Sequence, residues 1–320
     1  MDLTKKKVVC SGKIRPAALA YLQDKVDLVT WQEHGRVPKD EWARRLADAD
    51  AVYSTGNIRI DEELLSQAPH LKVVAQASVG YDNFDIAACR AHHVLVGNTP
   101  GVLVNAVADL AYGLLIDTAR GIVRGHHHVV SGLWGARKAL GLGVDLYGKT
   151  LGIVGMGDIG TAIARRAEAS GMKILYHNRH RKLNDTALHA TYASFDELLA
   201  SADFIVVSVT LNPSTKGLFN ADAFARMKDG VRFVNVSRGK VVDTDALYQA
   251  LQSGKVAAAG LDVTDPEPLP GDHPILGLPN LTVTPHIASA TEETRDAMAV
   301  VTAQNILAAL AGEDMPSQVR

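Results

Sequence analysis

The sequence predicts two α/β domains, each a doubly wound parallel sheet, and three observations predict it. Short apolar runs alternate along the chain with longer amphipathic stretches, the pattern of consecutive βαβ units. The apolar runs lack polar alternation, as strands do when helices cover both faces of a sheet. A glycine-rich turn, Gly155-Met156-Gly157-Asp158-Ile159-Gly160, lies between one such run and a helical pattern.

Taken in order, residues 7–10, 50–54, 71–75 and 94–96 read as strands, with helical stretches such as 39–47 and 61–67 between them. Asn98-Thr99-Pro100-Gly101 is a turn cluster, and beyond it 102–119 is a long apolar helix. A second set of strands follows at 150–154, 173–176, 204–208, 232–236, 258–262 and 281–284. Pro285-His286 ends the last strand, and 291–310 is a long helix with Thr291 as its cap and Glu292 and Glu293 in its first turn. The reading is an outer domain of 1–101 plus 291–320, with a central domain of 102–290 inserted into it.

At 320 residues the chain has room for about two domains of roughly 100–200 residues each. Apolar residues make up 47% and charged residues 21%, which excludes disorder, collagen and coiled coil as whole-chain readings. Lys and Arg number 33 against 35 Asp and Glu, so no field of one sign exists to recruit nucleic acid or an anionic membrane. Two cysteines, Cys10 and Cys89, do not make a disulfide framework and suit a reducing compartment. No signal-peptide or membrane-spanning pattern is evident, so a cytoplasmic location is expected.

The glycine turn carries a physical mechanism. Gly155 permits the tight turn, Gly157 lets backbone approach a pyrophosphate, and Gly160 allows close helix–strand packing. The following helix N-terminus offers free N–H groups and partial positive charge to phosphates. The competing reading is a glycine-rich turn without a ligand. The end of the next strand selects the cofactor. NAD sites place a carboxylate there for the ribose 2′-OH. This chain has Tyr176-His177-Asn178-Arg179-His180-Arg181-Lys182, with no acid. Guanidinium groups bind a 2′-phosphate bidentately, so NADP (NADPH) is favoured over NAD, with Arg179 the first choice for the phosphate and Arg181 the second. A solvated basic loop is the plainer alternative.

Three segments follow later strands, where open α/β sheets bind their ligands: Asn235-Val236-Ser237-Arg238-Gly239, the stretch 261–268 containing Glu267, and Thr284-Pro285-His286-Ile287-Ala288-Ser289. Each sets an Arg, Glu or His beside Gly or Pro. With the SVGYDN loop at 78–83, the glycine turn, SRG, GLDVTDPEPLP and TPHIASAT, the chain resembles the D-isomer-specific 2-hydroxyacid dehydrogenases over nearly its whole length. His273-Pro274 and the ending Gly312-Glu313-Asp314-Met315-Pro316-Ser317 are most similar to the glyoxylate/hydroxypyruvate reductases.

The resemblance implies a Rossmann-type dinucleotide-binding domain inserted in a flavodoxin-like substrate domain. It implies an NADPH-dependent reductase of small 2-oxo acids, with His286 as acid/base, Glu267 as its partner and Arg238 as substrate anchor. The chemistry agrees: reduction puts a hydride on carbon and a proton on oxygen, and histidine titrates near neutral pH. A neighbouring carboxylate orients the ring, and Arg clamps a carboxylate. By the same resemblance, Ser78, Val79 and Gly80 meet the substrate carboxylate, with Tyr53, Ser54 and Thr55 lining the pocket. Asp262 bonds the nicotinamide carboxamide, Asp158 and Ile159 contact the phosphates, and Asn178, Thr210, Val236, Ser237 and Ser289 lie along the cofactor.

A homodimer through the central domain and the segment 102–146 is implied as well. Two features depart from the family pattern. Residues 135–146 are Gly- and Leu-rich with no aromatic, which points to a roomier pocket, and Asp109 stands where many relatives carry Glu, expected to affect only interdomain packing. Taken singly, Arg238, Glu267 and His286 also have duller readings, as an ion-pair arginine, an exposed acid and a core histidine. His126-His127-His128 resembles a metal tract, but consecutive residues do not share a helix face. Rival functions are a reductase of 2-ketogluconate or another larger 2-oxo acid, and, from a different class, a dinucleotide-sensing corepressor or scaffold.

Overall fold

Strands with apolar residues on both faces need cover on both faces, and the computed structural model of the chain supplies it twice. Residues 3–31, 37–56, 58–182 and 189–320 are described. The chain divides into one unit of Met1–Leu103 with Ala290–Arg320 and a second of Val104–Ser289.

In the first unit the described strands are β1 (Lys7–Cys10), β2 (Asp27–Val29), β3 (Ala51–Ser54), β4 (Val73–Gln76) and β5 (Leu95–Gly97), all parallel in the order β2-β1-β3-β4-β5. Side chains alternate between two cores. Val8, Cys10, Ala51, Tyr53, Val73 and Ala75 face one, with Leu22, Ile306 and Leu310. Val9, Val52 and Val74 face the other, with Trp42, Leu46, Leu65 and Phe84. The helix Glu292–Ala311 brings the chain's end back to complete the first core. Thr291 caps it, accepting the Thr294 N–H at 3.3 Å, and Gly312 ends it at φ 77°.

The second unit holds β6 (Thr150–Val154), β7 (Lys173–His177), β8 (Ala190–Tyr192), β9 (Phe204–Val207), β10 (Val231–Asn235), β11 (Val256–Leu261) and β12 (Leu281–Val283). They run parallel in the order β12-β11-β10-β9-β6-β7-β8, and the direction of winding reverses between β6 and β9. That reversal is where such sheets bind ligands at the carboxyl ends of their strands. One face buries Phe219, Phe224 and Phe233, whose rings meet edge to face at 5.0 and 5.5 Å between centroids. Each such burial is worth about 1.5–3 kcal/mol. The helix Val104–Arg120 covers the other face. Gly260 lets it approach: a Cβ there would stand 3.0 Å from Leu114 Cβ.

Two strands are absent from the sequence reading. β2 and β8 are three-residue edge strands with exposed polar positions, Asp27 and Thr191, so no apolar run marks them. The long helix also ends where Gly121 turns left-handed, φ 62°, and a separate helix, Ile122–Val130, carries the three histidines. Among the described residues no helix is long and apolar enough to cross a membrane.

Candidate active site

The glycine turn separates what the chain needs from what it leaves open. Gly155 has φ 103°, and a Cβ there would lie 2.7 Å from the Ser208 carbonyl. A Cβ on Gly160 would lie 2.2 Å from the Gly155 carbonyl. Gly157 is different: φ is −78° and, among the described residues, a Cβ would meet nothing within 4 Å. Neither strain nor packing requires glycine there, so what the position preserves is access to the backbone. Gly157 is also the N-cap of the helix Asp158–Ala169 and provides no side-chain cap, leaving the first-turn N–H groups of Asp158 and Ile159 for an anion. Asn178 fastens the turn, its Oδ1 accepting the Met156 N–H at 2.6 Å. These residues fit a dinucleotide pyrophosphate.

Beyond β7, Arg179 and Arg181 are exposed. Arg179 has no carboxylate partner among the described residues. Lys182 turns back, donating Nζ to Thr161 Oγ1 at 2.7 Å. Thr210 is exposed after β9, its carbonyl accepting from Thr215 Oγ1 at 2.7 Å.

Arg238 is placed by a buried amide. Asn235 ends β10 with no solvent exposure. Its Nδ2 donates to the Arg238 carbonyl at 3.1 Å, and its Oδ1 accepts the Ser237 N–H at 3.0 Å and the Ser237 hydroxyl at 2.6 Å. The next residue must be small: a Cβ on Gly239 would stand 1.9 Å from the Thr264 carbonyl. The loop after β11 thus packs directly on the turn that carries Arg238.

Asp262, 1% exposed, organises the loop after β12. Its Oδ1 accepts from Thr284 Oγ1 at 2.6 Å and the Ile287 N–H at 2.8 Å, and its Oδ2 accepts the Ala288 N–H at 2.9 Å. Its carbonyl takes the His286 N–H at 2.9 Å. Within this clasp His286 sits at φ 54°, a left-handed conformation unfavourable for a histidine. The ring therefore projects where the clasp directs it. Nδ1 lies 2.6 Å from Glu267 Oε1, and a carboxylate only accepts, so Nδ1 carries the hydrogen. Both side chains are about two-fifths exposed. The bond to His286 is the main reason the Glu267 carboxyl is held below its ordinary range, opposed by partial burial and aided by the Arg238 charge. Glu267 stays ionised, and Nε2 has no partner among the described residues.

In the first unit, the Ser78–Gly80 loop has its carbonyls tied down. Asn98 Nδ2 donates to the Val79 carbonyl at 2.9 Å, and Gln76 Nε2 and Ser78 Oγ each donate to the Gly80 carbonyl at 2.6 Å. The N–H groups of Val79 and Gly80 have no partner among the described residues. A carboxylate can use two such donors. Tyr53 and Thr55 line a cavity of about 380 Å³ in this unit. Burial pushes the Tyr53 phenol above its ordinary range, and its hydroxyl bonds to Thr302.

Several of the expected site residues are engaged by the protein itself. Ser54 is fully buried, donating Oγ to Gln76 Oε1 at 3.1 Å and accepting the Gly56 N–H at 3.2 Å, so its hydroxyl is engaged within the fold. The Ser237 hydroxyl donates to Asn235, and the Val236 side chain is buried. Asp109 pairs with Arg166 inside its own unit, at 2.6 Å. Ser289 is half-buried at the end of the second unit. Asn235 and Gln76 were missed, although an amide closing an apolar strand is a visible signal in both. Cys10 and Cys89 are buried, and burial pushes their thiols up to about 12 and about 11, so neither is a thiolate near neutral pH.

The family described as "D-isomer specific 2-hydroxyacid dehydrogenase, NAD binding domain" matches residues 112–288. A glyoxylate reductase of Pyrococcus furiosus is 41% identical over 322 residues, covering 98% of this chain and 95% of that protein. The human glyoxylate reductase/hydroxypyruvate reductase is 41% identical over 319 residues, covering 98% and 96%. Among solved structures, an NADPH-dependent glyoxylate/hydroxypyruvate reductase of Sinorhizobium meliloti, in complex with NADP and malonate, is 33% identical with a TM-score of 0.86, covering 98% of this chain and 96% of that one.

Proposed function

Since the chain belongs to the family of D-isomer specific 2-hydroxyacid dehydrogenases, we propose that it reduces small 2-oxo acids, glyoxylate and hydroxypyruvate, using NADPH. The observation that carries this reading is the His286–Glu267 pair at 2.6 Å, which joins the loops after β11 and β12 beside the strand ends that carry Arg238 and Asp262. The glycine turn and the helix after it hold the pyrophosphate. When bound, the nicotinamide supplies the hydride to the substrate's carbonyl carbon. Glu267 accepts from Nδ1 and fixes the ring, so the transferable proton of the imidazolium is on Nε2. That proton passes to the carbonyl oxygen as negative charge develops there, leaving a neutral imidazole with its hydrogen on Nδ1. Arg238 pairs with the substrate carboxylate and polarises the carbonyl. In the first unit, the N–H groups of Val79 and Gly80 are the proposed carboxylate donors.

NADPH preference is supported by Arg179 and Arg181 and by the missing acid at the end of β7. It is also supported by the Sinorhizobium meliloti relative, which is described as NADPH-dependent. A homodimer is supported by apolar side chains left exposed on one segment: Ile122, Val129, Val130, Leu133, Trp134 and Leu142. Initial rates with glyoxylate and hydroxypyruvate, each with NADPH and NADH, test the reading. Faster turnover with NADPH is expected. A preference for NADH would remove the basic-loop argument and leave the proton relay standing. Tight dinucleotide binding without turnover would favour a sensor.

A further inference from the structure

A cavity of about 230 Å³ in the Val104–Ser289 unit lies at the opposite ends of the strands that carry Arg238, Glu267 and His286. Arg232 at the start of β10, Ala257 at the start of β11 and Asn280 just before β12 form one side of it. Arg124 and Leu142, from the chain beyond Gly121, form the other.

Two guanidinium groups line this small space, and among the described residues neither pairs with a carboxylate, although Arg232 lies over the Phe204 ring at 5.6 Å. Arg124 makes no hydrogen bond among the described residues, and its Nε is buried without an acceptor. A Cβ on Gly121 would stand 3.2 Å from both Nε and Nη2 of Arg124, so that glycine makes room for the guanidinium. Arg232 donates Nε to the Thr118 carbonyl at 3.0 Å and Nη1 to the Gly230 carbonyl at 3.3 Å, leaving Nη2 without a partner among the described residues. Burial lowers its pKa, the sign of a charge poorly served by solvent. The acid lining the cavity is Asp117, and it is already engaged: it accepts the Val123 N–H at 2.8 Å and the Thr282 hydroxyl at 2.6 Å. Among the described residues it forms no ion pair with either arginine. Buried donors of this kind are normally satisfied, and a planar guanidinium is best satisfied by two oxygens of one anion.

We propose that this cavity binds a small oxyanion, a carboxylate or phosphate group on a short metabolite, through Arg124 and Arg232. The size excludes a dinucleotide, since pockets for drug-sized ligands run to about 300–1,000 Å³. The alanine and proline walls suit a short apolar portion next to the anionic group. The site is separate from the substrate anchor, because it lies at the amino ends of strands whose carboxyl ends carry the chemistry.

The test is a calorimetric titration of the full chain, with NADP saturating its glycine turn, by inorganic phosphate and separately by succinate. One saturable site that depends on Arg124 is expected, beside any binding of succinate at the Arg238 anchor. Arg124→Ala weakens it at least tenfold, and Arg124→Lys, which keeps the charge without the fork, weakens it less. Both variants should keep the wild-type melting temperature without anion and the wild-type NADP affinity, since Arg124 makes no hydrogen bond among the described residues. Tighter binding of phosphate points to a phosphorylated ligand, and tighter binding of succinate to a carboxylate. The proposal is overturned if neither anion binds, or if Arg124→Ala binds both as wild type does. It is also overturned if Arg124→Ala alone changes the sedimentation coefficient, because Arg124 then serves a contact between copies.

Discussion

At the scale of single residues, the proposed chemistry rests on a ring held in place by a neighbour and a glycine kept free of one. His286→Ala is expected to lower kcat by roughly 10²–10⁴-fold with dinucleotide affinity retained, the usual loss of a positioned general acid. Steady-state rates beside fluorescence titration of the cofactor check both halves, and loss of cofactor binding instead would deny His286 its role. Reduction consumes a proton from Nε2, so its rate should fall as pH rises and the reverse reaction should gain. Glu267 adds a stability effect of opposite pH sense. Its folded pKa is depressed, so the stabilisation is complete above the ordinary value of 4.5 and is lost as pH falls through the depressed one. Denaturation of wild type and Glu267→Gln should therefore converge in that acid window. The glycines give a sharper contrast. Gly157→Ala should leave the melting temperature unchanged and weaken dinucleotide binding, whereas Gly160→Ala should destabilise the fold, its Cβ falling 2.2 Å from a carbonyl. Arg179→Ala should raise KM for NADPH by about ten- to a hundredfold, the worth of one charged hydrogen bond, and leave NADH unaffected.

At the scale of elements, the loops after β10, β11 and β12 behave as one construction. Asp262 anchors three donors of the His286 loop, and Gly239 lets the loop after β11 pack on the turn after β10. Asp262→Asn would replace an acceptor with an NH₂ group facing backbone N–H donors. That should cost about 1–3 kcal/mol of stability and lower kcat as well. Chemical denaturation and turnover should fall together; a variant that is stable but inactive would instead isolate a direct cofactor contact. The strands of this construction were legible because buried parallel strands are continuous apolar runs, as at 204–208 and 232–236. The edge strands β2 and β8 were not, because a three-residue edge strand needs no apolar run. The end of the long helix was legible, read at 119 against Arg120, whereas the separate helix beyond Gly121 was not.

At the scale of the whole molecule, the segment from Ile122 to Leu142 presents apolar side chains that a soluble surface seldom gathers in one stretch. Trp134 is 71% and Val130 63% exposed. If the proposed homodimer buries them, Val130→Asp should shift sedimentation toward the monomer. An unchanged distribution, with wild type already monomeric, would refute the dimer.

The sequence by itself determined the α/β class, the parallel sheets and the family, because each rests on local patterns: apolar runs, a glycine turn after a strand, and short motifs in order. Only the tertiary structure decided that Ser54 faces inward, that Asn235 and Asp262 hold the loops carrying Arg238 and His286, and that a Cβ on Gly157 would meet none of the described residues within 4 Å. It also decided that two arginines over a hundred positions apart line one cavity. The reason is physical. Hydrogen-bond satisfaction and close approach are set between segments distant in the chain, and periodicity reports only which face of its own element a residue occupies.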